Sequence, residues 1–306
     1  MIKFFKNWTL PIAMITGALA YPLLIHIRFL MPYLLFLILL ITFSKVSFKD
    51  LRYEPLHGWL LFIQLVGSIF LFAALYPFNK YIAESAMLCL IAPTATAAAV
   101  VTGKLGGSVS CLTTYTILSS ILTAIMVPLF FPFVASLPPD IDIHTDNNFF
   151  ISVFRILSRV FPIIILPLIL AWVIRHFTPK LHSQMLKISG ASFYLWGASL
   201  TIVTAVTVDT LIKNTDKGVI EILTILIGLA TCCLQFYLGK RIGSRYNERI
   251  SGGQGLGQKN TILIIWIAQV YLNPVASLAP CSYVIWQNIL NSWQLWKKNA
   301  KDKALQ

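Results

Sequence analysis

The stretch Ser251–Leu272, "SGGQGLGQKNTILIIWIAQVYL", decides how this chain is read, because it sets Lys259 between a basic cluster and the end of an apolar run. Taken as one membrane span, it places the ammonium about 15 Å from Arg249 and about 21 Å from Asn273, at roughly 1.5 Å per residue. A lysine at a helix centre costs roughly 2.5–3.5 kcal/mol on insertion scales, so it must face a cavity or meet partners. Gly252, Gly253, Gly255 and Gly257 weaken the helix beside it, and Gln258 and Asn260 bring two carboxamides to the same depth. The bland alternative makes the glycines a loop, starts the span at Lys259 and leaves the ammonium at the surface. A span from 260 to 272 is then short for a bilayer.

The rest of the chain is built for the same solvent. Of 306 residues, 57% are hydrophobic and 11% charged, which a soluble domain cannot accommodate. Apolar blocks of span length recur from end to end, leaving no room for a sizeable soluble domain and implying a lipid bilayer as the main partner. The net charge of +13 lies between apolar blocks rather than in a patch interleaved with aromatics, which excludes nucleic acid. The five cysteines and five histidines show no paired metal or redox spacing, so the sequence implies no metal, no cofactor and no obligate protein partner. Ala18-Leu19-Ala20 after Lys3, Lys6 and an apolar stretch also reads as a signal-peptide cleavage site, but the symmetry below needs this segment as a retained span.

Ten spans are predicted, over 8–26, 29–47, 56–78, 81–103, 107–133, 150–174, 188–212, 219–240, 247–272 and 275–296. With both termini in the cytoplasm, seventeen of the 24 Lys and Arg fall on the inner side, six on the outer, and Lys259 in a span. The basic, short-looped chain fits a bacterial inner membrane. The loop "ASLPPDIDIHTDNN" divides the chain into a first five-helix repeat (1–135), an acidic periplasmic linker (136–149), a second five-helix repeat (150–298) and a cytoplasmic tail (299–306). An odd number of spans per half makes the repeat inverted, the architecture of many secondary transporters, in which matching interrupted spans mark the binding site. The fourth span carries "IAPTATAAA" and the ninth "GGQGLGQKN", at mirrored depth. The fold class is therefore an all-α polytopic membrane protein, an inverted 5+5 repeat with two broken, crossing helices.

Pro93 removes a backbone donor, so the fourth span should unwind just before it. The small residues from Thr94 to Ala99 also suit a kinked helix with a close-packing face. Thr113, Thr116, Ser120 and Thr123 form a polar stripe at helical spacing, usually a packing device. Gln287 and Asn288 put two carboxamides into the last span. Glu84, Asp209 and Glu221 lie near the outer ends of their spans and read as interfacial, the alternative being a proton relay.

The chain resembles the bile acid:sodium symporter superfamily across nearly its whole length in span order. The resemblance is densest in "APTATAAAVVTGKLGGSVSCLTTYTILSSILTAIMVPL" (92–129), "GLGQKNTILIIWI" (255–267) and "SYVIWQNILNS" (282–292). It implies ten spans in a panel and a core domain, transport of organic anions such as bile acids, steroid conjugates or small carboxylates, and no enzymatic activity. It also implies that Thr96, Asn260 and Asn288 face substrate and that Thr116 holds a sodium-ligand position; with Pro93, Thr94, Gln258 and Gln287 from the breaks and the last span, these make the expected substrate site. Other sodium-ligand positions are replaced by Ala98, Ala99, Leu112 and Gly255, which offer no side-chain oxygen. The family's crossover glutamine falls at Lys259. The expectation is a secondary transporter in which Lys259 substitutes for a sodium ion or pairs with the anion, with its proton as an alternative coupling ion. The rivals are an ordinary sodium symporter, a membrane enzyme and a non-transporting receptor.

Overall fold

The computed structural model describes residues 2–46, 51–134, 149–213 and 218–304. Residues 136–148 of the acidic linker and the last two residues of the tail lie outside the described residues. The regular structure that is described is helical, apart from one isolated antiparallel bridge between Thr94 and Lys259.

The chain runs through α1 (Ile2–Leu19), α2 (Tyr21–Leu24), a 3₁₀ turn (Ile25–Leu30), α3 (Met31–Phe43) and α4 (Pro55–Leu75). Next come α5 (Lys80–Ile91), α6 (Ala98–Leu105), α7 (Val109–Val134), α8 (Phe149–Phe177), α9 (Pro179–Lys187) and α10 (Ala191–Lys213). The remainder is α11 (Gly218–Gly243), α12 (Arg249–Gly257), α13 (Thr261–Tyr271) and α14 (Leu278–Ala304), with short 3₁₀ turns before α12 and α14. Among the described residues, six stretches are long and apolar enough to cross a membrane: Tyr21–Phe43, Pro55–Leu75, Val109–Val134, Phe149–Phe177, Ala191–Lys213 and Gly218–Tyr246. The fourth and ninth predicted spans are each divided into two short helices, none of which is of span length alone.

Local sequence explains these boundaries. Asn79 caps α5, its side chain accepting from the amides of Tyr81 and Ile82. Pro93 ends α5 as expected: Ala92 before it is extended, with ψ 134°. Gly106, at φ +85°, closes α6 in the left-handed conformation that glycine tolerates. The break in the ninth span corrects the sequence reading. All four glycines lie inside helix α12, and the helix opens only at 258–260. The glycines serve close approach instead. A Cβ on Gly252 would stand 2.4 Å from the carbonyl oxygen of Gly239 on α11, and one on Gly239 2.2 Å from that of Gly252. Helix α9 was not foreseen at all; its polar residues, Pro179 and bounding Thr178 read as connection.

The chain divides into two compact units. Unit 1 holds residues Met1–Val46, Ala124–Gly218 and Ile265–Ser277. Within it α10 packs along α1, α2 and α3, and α8 along α3. Gly17 of α1 lies so close to α10 that a Cβ would meet the Thr201 carbonyl oxygen at 2.4 Å. Unit 2 holds Ser47–Thr123, Val219–Ile264 and Leu278–Gln306, and so contains both breaks. Within it α4 and α14 flank α5, and α12 packs on α4 and α6.

Candidate functional site

The two breaks meet inside unit 2 as a two-residue piece of antiparallel sheet. The Ala95 amide donates to the Gln258 carbonyl at 2.8 Å, and the Asn260 amide to the Pro93 carbonyl at 2.8 Å. That pairing settles part of a strict account: helix ends leave backbone groups that must be satisfied where no water reaches.

The rest falls to side chains. Pro93 has no N–H, so the Cys89 carbonyl, four residues back, loses its helical donor; Gln235 Nε2 supplies one at 3.1 Å. The Thr94 amide turns to Ser119 Oγ at 3.0 Å, freeing the Leu90 carbonyl. Lys259 Nζ takes up that carbonyl at 3.0 Å and the Ala92 carbonyl at 2.9 Å. The Ile91 carbonyl receives Gln64 Nε2 at 3.0 Å and Thr123 Oγ1 at 2.8 Å. Gln64 is held in turn by Tyr115, whose hydroxyl donates to its Oε1 at 3.0 Å.

On the other break, Thr94 Oγ1 donates to the Gly255 carbonyl at 2.7 Å, and the Tyr283 hydroxyl to the Gly257 carbonyl at 2.8 Å. The Lys259 amide donates to Gln287 Oε1 at 2.9 Å.

Lys259 is 1% exposed, which overturns the surface-lysine alternative. Its ammonium lies at the C-terminal end of α5, where the helix dipole presents its negative pole and where two hydrogen bonds to a charged donor contribute about 1.5–3 kcal/mol each. Those terms match or exceed the roughly 2.5–3.5 kcal/mol cost of seating a lysine at membrane depth. Gln258 is also buried, and its Oε1 has no hydrogen-bond partner.

Of the other residues singled out in the sequence, Pro93, Thr94, Gln287 and Asn260 stand at the paired breaks. Asn260 Oδ1 caps α13 by accepting from the Leu263 amide at 3.4 Å. Thr96 and Ala95 are half-buried and Ala97 is exposed, so the segment that leads into α6 is the open side of the break. Asn288 is half-buried and bonds back to the Val284 carbonyl at 2.6 Å on its own helix. Thr116 is buried, its hydroxyl bonded back to the Leu112 carbonyl at 2.9 Å. Ala98 and Ala99 open α6, and Leu112 is fully buried. At Gly255 a Cβ would stand 2.9 Å from the ring of Tyr115, so the aromatic ring occupies the space a larger side chain would need.

Glu84 is 0% exposed, with Lys80 Nζ 3.8 Å away, so it is enclosed by the protein rather than open at the end of its span. Sequence reasoning also missed Gln64, Ser119, Gln235 and Tyr283. Gln64 and Gln235 carried a signal, each a solitary carboxamide in an otherwise apolar span, "LLFIQLVG" and "CCLQFYL".

Comparison with known proteins supplies the remaining finding. A family model described as Sodium Bile acid symporter family matches residues 32–214, more than half of the chain. The matched residues include the first break; Lys259 lies beyond them. No curated protein matches the sequence.

Proposed function

The chain belongs to the sodium bile acid symporter family, and is thus a multi-pass membrane protein of a transport family; from that premise we propose that it moves a small organic anion by alternating access without a bound sodium ion. The anion is of the bile-acid, steroid-conjugate or carboxylate type. The protein is read as ten spans in an inverted 5+5 repeat, with the divisions at 1–135 and 150–298. It sits in a bacterial inner membrane with both termini in the cytoplasm.

One observation carries this reading. Lys259 Nζ, almost wholly buried, binds two carbonyl oxygens at the end of α5, as a small cation coordinated there would. Sodium asks for several oxygen ligands. The positions that supply them in relatives hold Ala98, Ala99 and Leu112, and at Gly255 the Tyr115 ring fills the space. A tethered ammonium provides the positive charge without a bound ion. The anion is then met by Ala95, Thr96 and Ala97 at the entry to α6 and by Asn260, near helix N-termini whose dipoles favour negative charge.

The test is uptake of labelled organic anions into proteoliposomes with sodium and proton gradients imposed separately. Uptake indifferent to sodium is expected. Uptake driven by a sodium gradient would overturn the proposal and favour an ordinary sodium symporter. Uptake that follows the proton gradient instead would assign the coupling to the Lys259 proton.

A further inference from the structure

A second cluster of ligating groups lies in unit 2, away from the paired breaks. Glu54 stands at the N-cap of α4, Cys111 in the first turn of α7 and Glu248 at the N-cap of α12. They are far apart in sequence, yet one carboxylate oxygen of each glutamate and the Cys111 Sγ all lie within 4.8 Å of one another. The geometry points to a binding site for a single divalent metal ion of the zinc class.

The donor set argues for it. Cys111 Sγ is 3.7 Å from Glu54 Oε2, against a sulfur–oxygen separation of about 3.6 Å expected between two ligands of tetrahedral zinc. His57 is set to support the thiolate rather than to bind. The Glu54 amide donates to its Nδ1 at 2.9 Å, which puts the ring proton of the neutral imidazole on Nε2. That Nε2–H lies 2.9 Å from the Cys111 carbonyl oxygen and 3.3 Å from Cys111 Sγ, and donating to a metal-bound sulfur is the usual task of such a neighbour.

Helix capping explains part of the arrangement but not its convergence. Glu54 accepts from the backbone amide of His57 and from the Cys111 thiol, and Glu248 from the Ser251 hydroxyl. None of these bonds accounts for the second carboxylate, Glu248, lying beside the same thiol. Among the described residues no Lys or Arg nitrogen lies within 4.0 Å of either carboxylate, so the two acidic groups approach each other without a direct ion pair. A divalent cation would draw the two carboxylates and the thiolate together. Bound there, it ties together the starts of α4, α7 and α12, the last being the helix that leads to Lys259.

The experiment uses the full chain, purified in detergent and stripped with chelator, with Cys233 and Cys281 changed to serine to remove more accessible thiols. Cobalt(II) is titrated as the spectroscopic probe. One equivalent should bind and give a thiolate-to-cobalt charge-transfer band, displaced by zinc. Cys111→Ser should abolish the band, and Glu248→Gln should weaken binding about tenfold or more. Absence of the band in the background protein, or a band that survives Cys111→Ser, would overturn the inference. Should Cys111→Ser fail to fold, an unchanged affinity in Glu248→Gln would do so by itself. The readout is metal binding, so the result stands whatever the transport assays give.

Discussion

The two breaks do the same job by different chemistry. The first, at 92–97, is forced open by a proline, and its orphaned carbonyls are met by side chains from three other helices, Gln64, Thr123 and Gln235, and by Lys259 from the second break. The second, at 258–260, has no proline. It opens because its backbone groups find better partners across the pairing, in Thr94, Ala95 and Pro93. One break is imposed by covalent structure and the other by the tertiary fold. A proline is visible in a sequence, whereas a helix opened by its partner is visible only through the polar residues that the opening needs.

The most severe way to break this symmetry is to remove the cation. Lys259→Leu leaves the buried Leu90 carbonyl without a donor, at about 1–3 kcal/mol, and removes the shorter of the two bonds to the Ala92 carbonyl, which keeps Gln64 Nε2 at 3.3 Å, at about 0.5–1.5 kcal/mol. A loss of about 1.5–4.5 kcal/mol is expected, read as a large fall in the melting temperature of the detergent-solubilised protein, together with loss of anion uptake. Lys259→Arg, which keeps the charge in a larger group, should recover part of the stability; full recovery by Lys259→Met would show that charge is immaterial.

Close approach comes next. Gly252→Ala drives a methyl group against backbone on α11, where nothing flexible can give way. Overpacking of this kind costs typically about 1–3 kcal/mol, measurable by thermal unfolding. Gly190, with open space around its position, is the matched control and should tolerate alanine.

Gln235→Leu tests the proline account. The Cys89 carbonyl then has neither its helical donor nor its substitute, for a loss of about 1–3 kcal/mol. The double variant Pro93→Ala with Gln235→Leu restores an N–H four residues beyond Cys89. Recovery of melting temperature in the double variant would tie the glutamine directly to the proline.

The smallest effect is expected of Pro93→Ala alone. The amides of Thr94 and Ala95 are already engaged by Ser119 and Gln258, so the break should persist and stability change by about 1 kcal/mol or less. Uptake should be retained. A large gain in stability with loss of uptake would show instead that the proline alone holds the helix open.

Much of this was legible beforehand. Apolar blocks and basic connections gave the spans, and Pro93 and Lys259 gave the breaks, because each violates a strong rule of helices in lipid. The glycines of α12 misled, since low helix propensity mattered less than the space needed by α11. The enclosure of Glu84 was not legible, because position along a span says nothing about which face of the helix is covered. Glu54, Cys111 and Glu248 could not be joined from sequence, being gathered from three helix starts that only the tertiary fold brings together.

The bond from Lys259 to Ala92 also has a temporal side. The lysine follows Ala92 by 167 residues, so at about 5–20 residues per second the ribosome needs roughly 8 to 33 s to reach it after the first break is made. For that interval the Leu90 carbonyl, served by Lys259, has no donor, and the Cys89 carbonyl waits almost as long for Gln235. Biogenesis of this protein therefore depends on whatever shelters an unfinished half in the insertion machinery, and slowed elongation between the halves should lower its yield more than that of a protein with uninterrupted spans.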